Sequence, residues 1–342
     1  MSIVTATSIL KAGYTAVITG ASSGIGRAMA LHCAGKGMNV WMVDVDVDEL
    51  ETAKKMALDK KSEENQTIES RKVDVADSKA MMDLAEEVFA SSNCHFLFNN
   101  AGVGSGGGPM EDTETVAFTM GVNTYGPIHG CLAFVPKMKE SNEPGIIVNT
   151  GSKQGYVRGK KGTNNEFCTL LKTNCLFFIL FFFFPFPSIT MPPGNLTYNM
   201  SKAALKCYTE GLEHDLRSSE DSQNLRSALL VPGWVNTSIL YKSVRRDKMS
   251  KGDAFDPSTV SFHEDNPAPG AWMPQQVVDF MISELDRGLF YIICPDNDVD
   301  RETDNLRMTW TMQDITLNRP PLSRWHPEYK DKFTEFLKAN KK

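Results

Sequence analysis

Apolar runs and longer helical stretches alternate along the first half of the chain. Short runs that favour strands occupy 14–19, 39–44, 67–73, 95–98 and 145–152. Stretches of helical character separate them, for example 78–89. Strands that alternate with helices are typical of a parallel sheet that is covered on both faces. The pattern therefore predicts an α/β fold with a doubly wound parallel sheet, whose ligands bind at the carboxyl ends of the strands.

The second half continues the same alternation. We predict a sixth strand in SALLVPGWVNTS (227–238), a helix at 274–287 and a seventh strand at 289–294. The segment 239–272 is long, polar and contains several prolines, so we expect a loop there. The organisation is one domain over 10–295 followed by a C-terminal extension over 296–342.

The end of the extension carries its own helical pattern. Tyr329, Phe333, Phe336 and Leu337 fall on one helical face, and Pro327 suits a helix start. Such a helix either packs on its own domain or covers a ligand pocket or a partner subunit, and the sequence leaves these alternatives open.

Composition and charge exclude several classes of function. The formal net charge is −6, so the chain has no basic surplus for binding nucleic acid. The 7 cysteines are scattered without metal-ligand spacing, which indicates reduced thiols, no metal site and a cytoplasmic protein. The amino terminus lacks the pattern of a secretory signal, and the phenylalanine-rich run at 175–184 is shorter than the roughly 20 residues of a membrane span. We therefore expect neither secretion nor insertion into a membrane.

A glycine motif follows the first predicted strand. The sequence GASSGIG at 20–26 lies between that strand and a helical stretch, which is the context of a dinucleotide-binding turn. Gly20 permits the tight turn, and Gly24 and Gly26 let a pyrophosphate approach the helix N-terminus. The cofactor-binding residues expected here are Gly20, Ser22, Ser23, Gly24, Ile25 and Gly26.

Asp44 ends the second predicted strand, 24 residues after Gly20. This is close to the roughly 20 residues at which an acid binds the adenosine ribose, and its charge repels a 2′-phosphate. The sequence therefore favours NAD over NADP as the cofactor. The alternative is a helix N-cap or a solvated loop acid, since Asp46 and Asp48 follow.

Seven motifs, in order along the chain, resemble those of the short-chain dehydrogenase/reductase family, classical type. They are TGASSGIG (19–26), Asp74-Val75, NNAG (99–102), Asn123 in MGVNTYG, Ser152 in IIVNTGSKQG, YNMSK (198–202) and PGWVNT (232–237). The resemblance covers about residues 10–295 and implies a Rossmann-type fold and a homodimer or homotetramer. It implies further cofactor contacts at Asp74, Val75, Asn100, Ala101, Gly102, Tyr198, Lys202, Pro232, Gly233, Val235 and Thr237.

Tyr198 and Lys202 stand four apart on a predicted helix, so their side chains point the same way. An adjacent ammonium stabilises a phenolate, and we expect Lys202 to lower the pKa of Tyr198 from its usual value of about 10. Such a pair is a general acid–base near neutral pH. The resemblance implies that Tyr198 exchanges a proton with a substrate oxygen and that Lys202 also binds the nicotinamide ribose. It implies that Ser152 hydrogen-bonds the substrate oxygen and that Asn123 holds a water in a proton relay.

The spacing of Ser152 and Tyr198 departs from the family. The resemblance implies a separation of about a dozen residues, whereas here it is 46; removing 157–189, which is 33 residues, leaves 13. This segment contains the phenylalanine-rich run, and its ends have codon character compatible with splice sites. Our hypothesis is a translated, unspliced intron, with a genuine lid or membrane-touching loop as the alternatives.

The sequence therefore predicts an NAD(P)-dependent oxidoreductase that interconverts a secondary alcohol and a ketone. The substrate is a small molecule that carries the alcohol or carbonyl group. The rival from another class is a catalytically silent nucleotide-binding protein, either a sensor or an enzyme disrupted by the insertion. A second rival is a membrane-associated protein held by the phenylalanine run.

Overall fold

The central element of the protein is a seven-stranded parallel sheet. The computed structural model describes residues 4–104, 111–153, 193–250, 252, 254, 256, 267, 270–297 and 299–341. The strands are β1 (Thr15–Thr19), β2 (Asn39–Asp44), β3 (Ile68–Lys72), β4 (Phe96–Asn99), β5 (Gly145–Thr150), β6 (Leu225–Val231) and β7 (Tyr291–Ile293). Their order across the sheet is β3-β2-β1-β4-β5-β6-β7, which confirms the predicted doubly wound fold.

The strand order reverses beside β1. The chain runs outward from β1 to β3, returns to place β4 on the other side of β1, and then continues to β7. Val17 in β1 is thus in register with Trp41 on one side and Leu97 on the other. In open α/β sheets a crevice for ligands forms outside the carboxyl ends of the strands at this switch point.

Helices cover both faces of the sheet. They are α1 (Ala6–Ile9), α2 (Gly24–Gly35), α3 (Val47–Leu58), α4 (Ser78–Ser91), α5 (Thr113–Met120), α6 (Gly126–Ser141), α7 (Leu196–Ser218), α8 (Ile239–Ser250), α9 (Pro274–Asp286), α10 (Arg301–Thr316) and α11 (Lys330–Asn340). Side chains of β1 alternate between the faces: Ile18 packs under α2 and α9, and Val17 packs under α4 and α6. Because both faces are buried, the central strands are largely apolar, as in β1 (TAVIT), whereas the edge strand β3 (IESRK) is only partly buried.

A single π-helical turn, Gly121–Tyr125, joins α5 to α6. Gly126 follows it, and a Cβ at this position would lie 2.6 Å from a methyl carbon of Val75. The close approach brings the turn against the loop after β3. Turns of this kind occur frequently at functional sites, and this one contains Asn123.

Two helices lie where the sequence did not predict them. The start of the expected loop at 239–272 forms α8, and α10 occupies part of the extension in which no helix was predicted before Pro327. The terminal helix α11 does form, and its Phe333 and Phe336 rings pack on Trp310 of α10 at 5.3 and 5.2 Å. Helix α11 thus packs on α10, another helix of the extension. The hypotheses on 157–189 concern a segment outside the described residues.

Candidate active site

The glycine turn lies at the switch point, where the ends of β1 and β4 meet. Gly20 has a positive φ of 68°, and a Cβ there would lie 2.8 Å from the Cα of Ala101. The Thr19 hydroxyl accepts hydrogen bonds from the amides of Asn100 and Ala101 at 3.0 and 3.1 Å. A Cβ at Gly26 would lie only 2.1 Å from the Gly20 carbonyl oxygen. The turn is therefore closed tightly on itself and on NNAG.

This turn fits the pyrophosphate of a dinucleotide. Ser23 is the N-cap of α2 and its side chain makes no capping hydrogen bond, so amides of the first helical turn, which begins with Gly24 and Ile25, are directed at the crevice. The Ile25 side chain itself belongs to the core beneath. The Ser22 hydroxyl is buried within the turn, and its amide donates to Asp44 at 3.1 Å.

Asp44 lies at the end of β2, beside the glycine turn. Its carboxylate also accepts hydrogen bonds from the amides of Val45 and Asp46, at 2.8 and 3.1 Å. The alternative of a helix N-cap applies to Asp46, whose carboxylate accepts from the Glu49 amide at 3.2 Å. Asp44 is thus a partly buried carboxylate beside the glycine turn, and its role at the adenosine ribose stays a prediction.

The loop after β3 lies farther along the same edge. Asp74 accepts a hydrogen bond from the Ala76 amide at 2.9 Å, and the buried Val75 packs against Gly126. His129 Nδ1 lies 2.9 Å from the Val75 carbonyl oxygen. These contacts fix the loop that the resemblance assigns to the cofactor.

Ser152 is held between the extended ends of β5 and β6. The Gly151 amide donates to the Leu230 carbonyl, and the Lys153 amide donates to the Pro232 carbonyl, both at 2.7 Å. The pairing of β5 with β6 thus continues past Thr150 on both sides of the serine. A hydrogen bond joins the Ser152 and Tyr198 side chains.

Tyr198 and Lys202 both lie on the first turns of α7, on its buried face. The Lys202 ammonium donates to the Thr150 carbonyl at 2.8 Å and lies 5.8 Å from the centroid of the Tyr198 ring. A Cβ on Gly102 would lie 3.7 Å from the Lys202 nitrogen. The structure therefore brings together the predicted Ser152, Tyr198 and Lys202, and sets them next to NNAG.

The prediction that Lys202 lowers the pKa of Tyr198 is wrong for this structure. Burial raises the pKa of Tyr198, and the hydrogen bond from Ser152 opposes that rise. Burial also lowers the pKa of Lys202 to about 8. The physical reason is that both groups are buried, and desolvation disfavours the charged form of each.

Asn123 lies in the π-helical turn and bonds to the chain on two sides. Its Oδ1 accepts from the Val103 amide at 2.8 Å, and its Nδ2 donates to the Val103 carbonyl at 2.9 Å and the Ser201 hydroxyl at 3.2 Å. Asn123 thereby connects NNAG to α7 beside Tyr198. The proton relay implied for Asn123 stays a prediction.

The loop after β6 folds over the glycine turn. A Cβ on Gly24 would lie 2.9 Å from a methyl carbon of Thr237, and the Ser238 hydroxyl donates to Ser23 at 3.2 Å. Val235 forms a parallel bridge with Trp272. Pro232 and Gly233 begin this loop, and a Cβ on Gly233 would lie 1.7 Å from an Asp296 oxygen. The predicted residues Pro232 to Thr237 thus border the same crevice.

Sequence reasoning missed the contribution of α8. Its Ser243 hydroxyl accepts from the Gly104 amide at 3.1 Å, and Arg246 donates to the Gly104 carbonyl at 2.8 Å. At the other end of the crevice, the Lys242 ammonium lies 2.5 Å from a carboxylate oxygen of Glu49 in α3. The sequence did not predict this helix, because 239–250 is largely polar and the side chains that make these contacts are charged or small.

Four cysteines within the described residues are buried, and Cys207 is exposed. In the parts of the chain that the structure describes, we find no cluster of metal-ligating side chains. The same parts contain no helix that combines the length and the apolar character of a membrane span.

Comparison with known proteins points to one family. A model of the short chain dehydrogenase family matches residues 14–164, and this match ends inside the segment 157–189. SadH of Mycobacterium tuberculosis, named as an oxidoreductase, is 27% identical over 237 residues, which cover 69% of this chain and 71% of that protein. The (+)-neomenthol dehydrogenase of Arabidopsis thaliana is 28% identical over 262 residues, which cover 67% of this chain and 85% of that protein.

Solved structures agree with this result. A short-chain dehydrogenase/reductase from Burkholderia phymatum, in complex with NAD, has a TM-score of 0.69 and 26% identity and covers 91% of this chain and 96% of its own. A short-chain dehydrogenase from Sphingobium yanoikuyae, in complex with NADPH, has a TM-score of 0.59 and 22% identity. The match covers 89% of this chain and 95% of that protein's chain. The second likeness is one of fold alone.

Proposed function

We propose a specific reaction for this chain, which belongs to the short-chain dehydrogenase/reductase family. The reaction is the NAD(P)-dependent oxidation of a secondary alcohol to a ketone, or the reverse reduction. The observation that carries the proposal is the hydrogen bond between Ser152 and Tyr198, with the Lys202 ammonium beside the tyrosine ring at 5.8 Å. This group lies at the carboxyl edge of the sheet, next to the switch-point crevice.

Tyr198 is the proposed general acid–base. In ketone reduction its phenol donates a proton to the substrate oxygen, and in alcohol oxidation its phenolate accepts that proton. Because burial raises the pKa of Tyr198, the phenol is protonated at neutral pH and is ready for the reductive direction. Ser152 orients the substrate oxygen through a second hydrogen bond, and Lys202 supplies a positive charge that favours the phenolate once it forms.

The chain's own residues suit a nicotinamide dinucleotide. The glycine turn and the N-terminus of α2 would hold the pyrophosphate, and Asp44 would bind the adenosine ribose. Lys202, Asn100 to Gly102 and the loop at 232–237 would hold the nicotinamide half. When bound, the nicotinamide supplies the carbon that accepts or donates the hydride.

We propose NAD as the preferred form of the cofactor. The support is Asp44, whose partly buried carboxylate faces the glycine turn and would repel a 2′-phosphate. The similar structures include one in complex with NAD and one in complex with NADPH, so they leave the preference to experiment. We also propose a homodimer or homotetramer in the cytoplasm, on the basis of the family resemblance.

The test is turnover of a panel of secondary alcohols and ketones, followed by absorbance of the reduced nicotinamide. We expect oxidation with NAD⁺ and the reverse with NADH, and a loss of roughly 10²- to 10⁴-fold in Tyr198→Phe. NADH binding, measured by fluorescence titration, should survive in this variant, because the phenyl ring keeps its packing.

Two outcomes would count against the proposal. Substantial turnover by Tyr198→Phe would exclude the proton-transfer role of Tyr198. Tight NADH binding without turnover of any alcohol or ketone in the wild-type protein would favour the silent nucleotide-binding protein.

A further inference from the structure

A lysine that the proposed chemistry does not use follows Ser152 directly. The Lys153 side chain is 1% exposed, and its ammonium lies 2.5 Å from a carboxylate oxygen of Asp304 and 3.1 Å from one of Asp296. Both acids are also buried, at 4% and 6% exposure. Asp304 belongs to α10, and Asp296 precedes that helix. A buried ammonium between two buried carboxylates therefore connects the serine segment to the C-terminal extension.

The same acids reach the other loop of the site. Asp296 accepts a hydrogen bond from the Trp234 amide at 2.7 Å, and Gly233 lies so close to this carboxylate that no other residue fits. The Lys153 amide in turn donates to the Pro232 carbonyl. Arg307 of α10 also lies 3.6 Å from Asp304, so the buried ionic cluster consists of Lys153, Asp296, Asp304 and Arg307. This cluster fixes the segment after β5 and the loop after β6 to one another.

The helix that carries Asp304 has an anchorage of its own. Met308 of α10 packs against Leu229, Val231 and Ile293 at the β6–β7 side of the sheet. On its other side Trp310 packs between Phe333 and Phe336 of α11 and donates to the Ser323 hydroxyl at 2.9 Å. The helix that carries Asp304 is therefore held by packing on two sides, which restrains the position of Asp304 beside Lys153.

We propose that Lys153 is a positioning residue through which the C-terminal extension fixes Ser152 against Tyr198. The inference rests on the proposed function, since it assigns the extension a role at that same site. The Lys153 head group cannot leave the cluster without leaving a buried charge unpaired, which is strongly unfavourable. The adjacent serine is thereby confined in position, and a displacement of about 1 Å at such a group can cost roughly 10²-fold in rate.

Two aspartates of α10 provide a matched pair of variants. Asp304→Asn weakens the link to Lys153 and also the contact of Asp304 with Arg307 of α10 at 3.6 Å. Asp314→Asn likewise weakens contacts within the extension, because its carboxylate binds Arg319 and Ser323. Both aspartates are buried on the same helix. Asp314→Asn therefore measures the effect of weakening the extension while the contacts of Lys153 are kept.

We expect the two variants to differ at the active site. With the panel alcohol that the wild-type protein oxidises fastest, Asp304→Asn should lower kcat by about 10- to 100-fold, while KM and the affinity for NADH change less than threefold. Asp314→Asn should leave kcat within about threefold of wild type, even where its midpoint of thermal unfolding falls equally. Asp304→Glu keeps the charge and should recover much of the lost kcat. Equal losses of kcat in the two Asn variants, or a normal kcat in Asp304→Asn, would overturn the positioning role.

Hydrogen exchange separates this inference from the proposed reaction. In Asp304→Asn the amides of Gly151 and Lys153 should exchange about tenfold faster, and in Asp314→Asn they should not change. Unchanged exchange in Asp304→Asn would refute the link whether or not the protein turns over an alcohol. If Asp304→Asn does not fold, the comparison passes to Asp296→Asn, which weakens the other carboxylate of the cluster. Unaltered exchange at both amides together with a wild-type kcat in that variant would equally refute the link. Absence of turnover in the wild-type protein, by contrast, would count against the proposed reaction alone.

Discussion

The Lys202 ammonium donates a hydrogen bond of 2.8 Å to the main-chain carbonyl of Thr150, a residue 52 positions earlier in the chain. This bond ties α7 to the end of β5, and the Ser152–Tyr198 hydrogen bond lies beside it. The candidate catalytic group is thus assembled by direct contacts between these two elements.

Removal of residues 157–189 should therefore preserve the cofactor site. In the shortened chain Tyr198 stands 13 positions after Ser152, and both contacts between β5 and α7 remain available. We expect it to bind NADH at least as tightly as the full chain, measured by fluorescence titration with NADH and NADPH. Tight binding by the shortened chain alone would support the translated-intron hypothesis. Equal binding by both would make the segment a tolerated loop, and weaker binding by the shortened chain would contradict the prediction.

Ser152→Ala should alter the pH dependence of alcohol oxidation. The hydrogen bond from Ser152 lowers the pKa of Tyr198, while burial raises it. Loss of the serine hydroxyl should raise the pKa of Tyr198 further, so the rise of kcat/KM with pH should shift to higher pH. The variant should lose about 10²-fold in rate at every pH, because the hydrogen bond to the substrate is missing. Relative to wild type, the loss should be larger at pH 8 than at pH 10, which rates measured from pH 7 to 10 would show. A profile of unchanged shape would contradict the link between the two hydroxyl groups.

Lys202→Met should change how stability depends on pH. Burial lowers the pKa of Lys202 from 10.5 to about 8 in the folded protein. Below pH 8 the lysine is charged in both states, and the folded state carries a desolvation cost of about 3 kcal/mol. As pH rises from 8 towards 10.5, the folded state loses its proton before the unfolded state does, so the wild-type protein gains stability relative to the variant. Urea unfolding of both proteins at pH 7, 9 and 10 measures the difference between their free energies of unfolding. If this difference does not change with pH, the lowered pKa of Lys202 is refuted.

Gly26→Ala and Gly35→Ala form a matched pair on α2. A Cβ at Gly26 would lie 2.1 Å from the Gly20 carbonyl, whereas at Gly35 its nearest neighbour is the Lys60 carbonyl at 4.0 Å. We expect Gly26→Ala to lose at least tenfold in NADH affinity, about 1.4 kcal/mol, because the turn must open. Gly35→Ala should bind NADH normally and unfold at the same temperature or slightly higher. Normal NADH binding by Gly26→Ala would show that the turn is not the cofactor site.

Asp44→Ala should shift the preference between the two cofactors. Removing the carboxylate removes the repulsion of a 2′-phosphate, so the ratio of the NADPH and NADH dissociation constants should fall by about tenfold or more. Asp46→Ala is the control, since it deletes a neighbouring charge and the N-cap of α3 but keeps Asp44. An equal change in both variants would mean that general charge, rather than the position of Asp44, decides the preference.

The sheet and the identity of the candidate site could be predicted from sequence to a large extent. The second strand, at 39–44, has the predicted bounds, and the helix predicted at 274–287 is observed as Pro274–Asp286. The third strand ends at Lys72, earlier than predicted, because the chain turns there towards Asp74. These features follow from local periodicity and from the conformational preferences of glycine, which depend only on residues close together in the sequence.

The sequence by itself thus determined the parallel α/β fold, the glycine turn and the residue types of the Ser152, Tyr198 and Lys202 group. Only the tertiary structure decided the direction of the Tyr198 and Lys202 pKa shifts, the helices α8 and α10, and the burial of Lys153 between Asp296 and Asp304. The physical reason is that desolvation and ion pairing depend on which distant residues surround a group. The periodicity of one segment does not indicate which distant residues surround it. Those neighbours are set by tertiary packing, for example of the extension against the sheet.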